Sequence, residues 1–426
     1  MRFASLPGFR DLYPDAFDRR RRIFAAWRDV ATRYGFEEYD GPPLEPLELY
    51  TQKSGEEIVG QLYSFTDKGG RAVALRPEMT PTFARLVSER AAQLKKPIRW
   101  FTIPQLFRYE RQQRGRLREH FQLNVDIAGE SGPAADAEVI AVAIDIVRAL
   151  GFGPAEVRVR LSDRRVLGTA LTEGLGVREG ELPGVLSALD RFERSREAAE
   201  KALATVLGED AARAAKVRQF ADGLEDPAPL LDTPAAGPLT ECLGYLEAMG
   251  LREFVDVDFR IVRGLAYYTG IVFELFDARQ DLRAICGGGR YDDLLKSLGG
   301  VDLPCVGFGM GDVVLGELLQ DRDGAPVAAA PVDVLIAMVT EEDRPAALAL
   351  AHALRERGVR VEYALRKLAL GKQLELASAR GAGHAVVIGP DERAKGEAVV
   401  RSLRNKQETR VNLKELAEGF VFEDGK

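Results

Sequence analysis

Cysteine and histidine are scarce in this 426-residue chain, at three each. Cys242, Cys286 and Cys305 are far apart, odd in number and never form a CxxC pair. That excludes a disulfide scaffold and leads us to expect free thiols in a reducing cytoplasm. His120, His352 and His384 share no spacing that could hold a metal, so no zinc site is expected. No run approaches the ~18 uninterrupted apolar residues that cross a bilayer. The opening stretch MRFASLPGFRDLYPDAFDRRRR has no signal-peptide apolar core, so no membrane partner is expected. GxxxxGK[ST] is missing as well. GFGMGD (307–312) begins like a dinucleotide loop but lacks the G-x-G-x-x-G spacing and a later acidic partner, which argues against a nicotinamide cofactor.

What is present is ordinary for a globular protein: 46% hydrophobic and 29% charged residues, in a length that suits two or three domains. The net charge of −7 is unevenly spread. Residues 331–426 hold 16 Lys/Arg and 15 Asp/Glu, whereas the first 330 hold 43 and 51. Within the acidic part, RYERQQRGRLR (108–118) packs five arginines against one glutamate. Such a run either binds a phosphate-rich ligand or is a solvated loop.

Periodicity organises the rest. Ile23, Phe24, Trp27, Val30, Ala31 and Tyr34 share one helical face, with Gly35 placed to end the helix. A second helix is expected over Ala134–Leu150, stopped by Gly151. Alternation predicts strands at Val157–Leu161, Val257–Val262 and Ile271–Phe276, without a regular strand–helix–strand repeat. Residues 165–250 read as a helical insertion. DRDGAPVAAAP (321–331) reads as a linker. Beyond it, VDVLIAMV (332–339), VRVEYA (359–364) and HAVVIG (384–389) alternate with helical stretches at Arg344–Arg357 and Leu370–Arg380. The expected architecture is an α+β domain over 1–325, mostly antiparallel sheet flanked by helices, followed by a small α/β domain over 326–426.

Four clusters could carry chemistry. LRPEMTP (75–81) sets Arg76, Glu78 and Thr80 around a proline. FRYERQQRGRLREHFQLNVDIAG (107–129) follows its arginines with Gln122, Asn124 and Asp126, which alternation places on one face of a strand. VRGLAYYTGIVFE (262–274) offers Arg263 and the pair Tyr267–Tyr268. CGGGRYDDL (286–294) puts three glycines before Arg290 and Tyr291, where sheet backbone could approach a flat ligand. Together they suit a polyphosphate and a small polar molecule: arginines for phosphoryl charge, carboxylates for an ammonium, tyrosines for a ring.

These segments resemble a known family. FRYER…GRLREHFQ is similar to motif 2 of class II aminoacyl-tRNA synthetases. VRGLAYYTGIVFE and CGGGRYD resemble the two histidine-binding signatures of the histidyl-tRNA synthetase family, and GFRDLYP and LRPEMT match it too. The resemblance covers nearly the whole chain, including the insertion and the C-terminal domain. It implies ATP as a substrate, with Mg2+ bridging its phosphates. Histidine and histidine tRNA would be partners, and the motif 1-like start implies a homodimer. It places Arg108 at the α-phosphate, Glu110 near the adenine and Arg116 at the terminal phosphates. Glu78, Thr80 and Asp126 would hold the histidine α-amino group, with Gln122 and Tyr267 close by. Tyr268 and Tyr291 would bracket the imidazole. Arg263 would touch both the α-phosphate and the histidine carboxylate, and with Arg108 would be catalytic.

The chain departs from the family at motif 3, where Val313 and Val314 stand in place of a Glu-Arg pair. If Arg263 does not act in the chemical step, Arg116 or Arg283 is the next candidate to cover the phosphates that the missing motif 3 arginine leaves exposed. A second reading is a non-catalytic paralogue, such as the regulatory subunit of ATP phosphoribosyltransferase. The resemblance implies that such a paralogue loses motif 2 arginines and the C-terminal domain. This chain keeps Arg108, Arg116, Arg263 and that domain.

Overall fold

The computed structural model describes residues 3–51, 60–111, 113–192, 195–208, 210–263, 267–279, 282–324 and 332–422. It divides into two compact units, Met1–Pro326 and Val327–Lys426. Ala266 and residues 325–331 of the expected linker lie outside the described residues.

The first unit is built on a nine-stranded sheet. Its strands are β1 (Glu37–Glu38), β2 (Ile98–Thr102), β3 (Gln105–Phe107), β4 (Glu119–Ala128), β5 (Val157–Asp163), β6 (Val255–Val257), β7 (Ile271–Asp277), β8 (Cys286–Arg290) and β9 (Cys305–Gly311). They run in the order β1-β2-β4-β9-β8-β7-β5-β6, with β3 pairing to the start of β4. Only the outermost pairs, β1–β2 and β5–β6, are parallel.

Helix α1 (Pro14–Arg33) forms where expected, buries Ile23, Trp27, Val30 and Ala31, and is followed by Gly35 at φ 75°. Helix α2 (Thr80–Arg90) begins two residues after Glu78. Helix α3 (Pro133–Ala149) is apolar nearly all round because it is sandwiched, burying eleven side chains. Beneath the sheet, α1 and α3 pack on Phe101, Leu123, Val125, Ile127, Phe273 and Phe308 in one continuous core. The longer helices of the expected insertion, among the described residues, are α4 (Leu182–Phe192), α5 (Arg196–Leu207), α6 (Ala211–Gly223) and α7 (Gly237–Ala248). Helix α8 (Asp312–Asp323) follows β9 directly.

One strand was expected in the wrong place. The segment read as Val257–Val262 pairs only over Val255–Val257. After Leu161 accepts the Asp258 N–H at 2.8 Å, the Asp258 carboxylate takes the Arg260 N–H and the Arg160 and Arg260 guanidiniums. That local turn competes with the ladder and ends it.

The second unit holds a five-stranded sheet of order β11-β10-β12-β13-β14. It comprises β10 (Val334–Met338), β11 (Val361–Tyr363), β12 (His384–Ile388), β13 (Glu397–Ser402) and β14 (Glu408–Asn412). The first three are parallel, connected through α9 (Arg344–Glu356) and α10 (Leu370–Ala379), while β13 and β14 add antiparallel. The unit is therefore mixed α/β with its own apolar core.

Candidate functional site

Register builds the site. Opposite Gln122, Asn124 and Asp126 on β4 stand Gly311, Gly309 and Gly307 on β9. Gly309 and Gly307 in turn oppose Gly287 and Gly289 on β8, and these oppose Glu274 and Val272 on β7. On the other side of β4, Trp100 opposes Asp126 and Thr102 opposes Asn124. Directly paired residues share a face. A strip of glycines therefore runs across the middle of the sheet, with polar side chains on one bank and Glu274 on the other.

The strip is occupied by side chains lying flat on it. A Cβ at Gly307 would strike Asp126, one at Gly287 would strike the Arg263 guanidinium, and one at Gly309 would come within 2.8 Å of Gln122. The glycines were expected to let backbone approach a ligand. In the structure they also leave room for Asp126, Gln122 and Arg263 to fold down across the sheet.

Three tyrosines close this half of the site. Tyr267 lies 5.0 Å from Tyr268 and edge-on to Tyr291 at 5.9 Å, centroid to centroid. The Tyr291 hydroxyl donates to Asp126. Burial pushes the Asp126 carboxyl up to about 7, against the opposing pull of Tyr291. The Tyr267 hydroxyl bonds Thr80 at the start of α2 and feels the charge of Glu78 two residues earlier. Glu78 is buried. Tyr267 and Tyr291 are themselves held protonated far up the scale, chiefly by burial.

Arg263 stands at the head of this cluster in a left-handed backbone conformation, φ 60°, which a side-chain-bearing residue adopts at a cost of about 1–3 kcal/mol. Its guanidinium pairs with Glu274 and sits 5.9 Å from the Tyr268 ring. Burial alone would lower its pKa; Tyr268 and Glu274 reverse that and hold it above the ordinary value. The nearby carboxylate that Arg263 pairs with is Glu274, whereas Asp258 is held by Arg160 and Arg260.

Arg108 links the two halves. Its Nε donates to the Pro77 carbonyl at 2.8 Å, beside Glu78, and its backbone N–H closes the 108–118 loop on Arg118 at 2.9 Å. The loop is far from a bare cationic patch. Arg116 pairs with the buried Glu110. Arg114 bonds Glu317 and Asp321 on α8, both at 3.0 Å. Arg118 lies 4.0 Å over the Tyr109 ring. Arg283 reaches across to Gln113 of the same loop. Val314 packs against Gly115, so the motif 3 position is filled by an apolar contact to the loop. His120 continues the polar face of β4 below Gln122. Burial, followed by the charges of Arg108 and Arg10, lowers it to about 3, so its ring stays neutral.

Arg290 is brought elsewhere. It is fully buried on the far face, bonded to Asp136 of α3 and to the Glu130 and Gly132 carbonyls. Adjacent residues on a strand point to opposite faces, which separates it from Tyr291. Three residues were missed from the sequence. Glu274 partners Arg263, and alternation with Val272 was its only signal. Trp100 flanks Asp126. Tyr39, next to Trp100 at 5.2 Å, has a buried hydroxyl with no hydrogen-bond partner among the described residues, and Asp126 is the charge it feels most.

A sequence model described as histidyl-tRNA synthetase matches residues 8–312. The chain belongs to the histidyl-tRNA synthetase family. A model described as an anticodon binding domain matches residues 333–422. A protein of Opitutus terrae named "Histidine--tRNA ligase" is 49% identical over 96% of each chain. In fold, the chain is similar to the crystal structure of histidyl-tRNA synthetase from Nostoc sp. PCC 7120, with a TM-score of 0.80 and 24% identity over 98% of each chain. It is also similar to a Bacillus halodurans structure described as an ATP phosphoribosyltransferase regulatory subunit/histidyl-tRNA synthetase, with a TM-score of 0.73 and 23% identity over 91% of this chain and 99% of that one.

Proposed function

We propose that the protein is a histidine–tRNA ligase in which the glycine strip receives histidine and the 108–118 loop receives ATP. A histidine carboxylate oxygen attacks the α-phosphorus, the bond to pyrophosphate breaks, and histidyl-adenylate forms. A terminal hydroxyl of histidine tRNA then attacks the carbonyl carbon and releases AMP. The observation that carries this reading is the convergence of Glu78, Asp126 and three tyrosines on a glycine floor, one residue from the carbonyl that anchors Arg108.

Each residue has a proposed role. Glu78 and Thr80 take the ammonium, with Gln122 beside them. Asp126 was expected to share that task. A carboxyl raised to about 7 by burial is a poor fixed counter-charge, and its bond from Tyr291 suits it better to a ring N–H. Tyr267, Tyr268 and Tyr291 supply the shape of the ring pocket. Arg263 faces both reacting anions, and Arg108 the α-phosphate. Glu110 and Arg116 exchange their mutual bond for adenine and terminal phosphates. Mg2+ enters with the ATP phosphates. Two copies pair through the motif 1 region.

The second unit takes the anticodon stem-loop. Exposed Leu365, Arg366 and Lys367 follow β11 at the carboxyl edge of the parallel strands, where open α/β sheets bind ligands. Gln373 pins that loop by bonding the Met338 N–H and the Met338 and Leu368 carbonyls.

The regulatory-paralogue reading is disfavoured by the retained arginines and by 49% identity to a protein named as a ligase. ATP–pyrophosphate exchange with each amino acid in turn tests the proposal. Exchange should require histidine alone; exchange with another amino acid, or none, would refute it.

A further inference from the structure

Arg10 lies outside every role given above, yet it joins three segments that frame the nucleotide half of the site. Its Nε donates to Glu119 at the start of β4 at 2.7 Å, and its Nη1 lies 3.0 Å from Asp312 at the start of α8. Both carboxylates are buried. Glu119 also accepts from Gln105 of β3 at 2.9 Å, and Asp312 accepts the Phe121 N–H of β4 at 2.9 Å. One guanidinium thus ties β3, β4 and α8 together at the point where the 108–118 loop begins and ends.

The chain leading to Arg10 completes the clamp. The Gly8 carbonyl accepts the Arg118 N–H at 3.1 Å, and the Pro7 carbonyl accepts from the Arg118 guanidinium at 3.4 Å. Gly8 has φ 88° and lies so close that a Cβ would come within 2.7 Å of the Arg118 side chain. Residues 7–10 therefore run along the base of the loop that carries Arg108, Glu110 and Arg116.

Two buried carboxylates share this one cation. Burial would raise both; Arg10 and Gln105 pull Glu119 below its ordinary value, while Asp312 stays above. Without the guanidinium, two acids would face each other in a dry site, and the strand and helix starts would part. Arg20 is the neighbouring cation that feels both acids, but its guanidinium lies over the Phe17 and Phe121 rings at 4.6 and 4.8 Å.

We propose that Arg10 is a positioning residue for ATP: it holds the base of the 108–118 loop in register by bridging Glu119 and Asp312, without touching the nucleotide. Being committed to two acids, its charge is spent inside the protein. This inference rests on the ATP role of the loop proposed above.

The test compares half-saturating ATP and histidine in pyrophosphate exchange, with direct ATP titration as a second readout that does not need turnover. Wild-type exchange checks the functional reading; the variants check Arg10. Arg10→Gln should raise the ATP requirement roughly 10- to 100-fold, the scale of an ångström-size misplacement, with histidine changed less than about 3-fold. Arg10→Lys, which keeps the charge and serves if the glutamine variant does not fold, should show a smaller rise in ATP alone. The triple variant Arg10→Gln/Glu119→Gln/Asp312→Asn replaces the charges with amides of similar shape and should return ATP to within a few-fold of wild type. Unchanged ATP dependence in Arg10→Gln and Arg10→Lys, or equal rises for both substrates, would overturn the proposal. So would a triple variant that folds normally yet keeps the full ATP defect, because Arg10 would then be contacting ATP itself.

Discussion

The two halves of the site are made differently. The amino-acid half is written into sheet register: Gln122, Asn124 and Asp126 share a face by alternation, and glycines oppose them on the next strand. Its polar groups are mostly buried and already in contact, as Tyr291 is with Asp126 and Tyr267 with Thr80. The nucleotide half is a loop whose cations are bonded to the protein's own acids, Arg116 to Glu110 and Arg114 to Glu317 and Asp321. A prebuilt pocket loses little entropy when its ligand arrives. A self-paired loop has to trade internal ion pairs for ligand ones, so its affinity is a difference between two similar energies. Selectivity should therefore reside in the sheet, and ATP dependence should be sensitive to whatever holds the loop.

The largest effect should come where the halves meet. Arg263→Ala should slow histidyl-adenylate formation in a single turnover by about 10²–10³, the loss typical of one preorganised donor to developing charge. Histidine binding should change far less, and Arg263→Lys should recover only part because an ammonium cannot make the fork. An equal loss of binding and rate would place Arg263 in the pocket wall instead.

Within the sheet half, Tyr268→Phe should raise the histidine requirement about 5- to 150-fold, the range for leaving a buried partner unpaired, while ATP dependence stays put. If ATP dependence moved equally, the comparison between halves would fail.

Asp126 sharpens the same comparison through stability. Its folded pKa, about 7, lies above the unfolded carboxylate value, so the folded state holds the proton more tightly. The resulting penalty is absent at low pH, grows as pH rises through the acid range and is complete above pH 7. Asp126→Asn should therefore raise thermal stability at pH 8 by about 1–4 kcal/mol and hardly at all at pH 4, at the expense of histidine use. A variant less stable at pH 8 would show that the ionised carboxylate is well solvated or paired.

The smallest effect lies in the second unit. Arg366→Ala with Lys367→Ala should weaken tRNA charging several-fold and lower its salt dependence, since each removes about one phosphate contact at most. Histidine-dependent exchange should not change.

How far the sequence carried the reading follows from what each signal measures. Period-two alternation showed the face of Gln122, Asn124 and Asp126, because it depends only on the strand itself. It could not show that Gly307 and Gly309 lie opposite, since register belongs to the partner strand. The arginine run at 108–118 was visible as charge, but the acids that neutralise Arg114 sit about 200 residues away on α8. Arg290 and Tyr291 were read as one cluster because adjacency in sequence was taken for adjacency in space, whereas the strand sends them to opposite faces. The Val257–Val262 strand failed because Asp258 found two guanidiniums. Arg10 and Glu274 lay inside the segments GFRDLYP and VRGLAYYTGIVFE, but nothing beside them in sequence marked what they do; their meaning is in their partners.

The most direct test of the contrast is calorimetric titration of histidine into the ATP-free protein. The account predicts saturable binding that is selective for histidine, weakened by Tyr268→Phe and changed less than about 3-fold by Arg10→Gln. Histidine binding that appears only once ATP or a non-hydrolysable analogue is present would contradict a prebuilt amino-acid half.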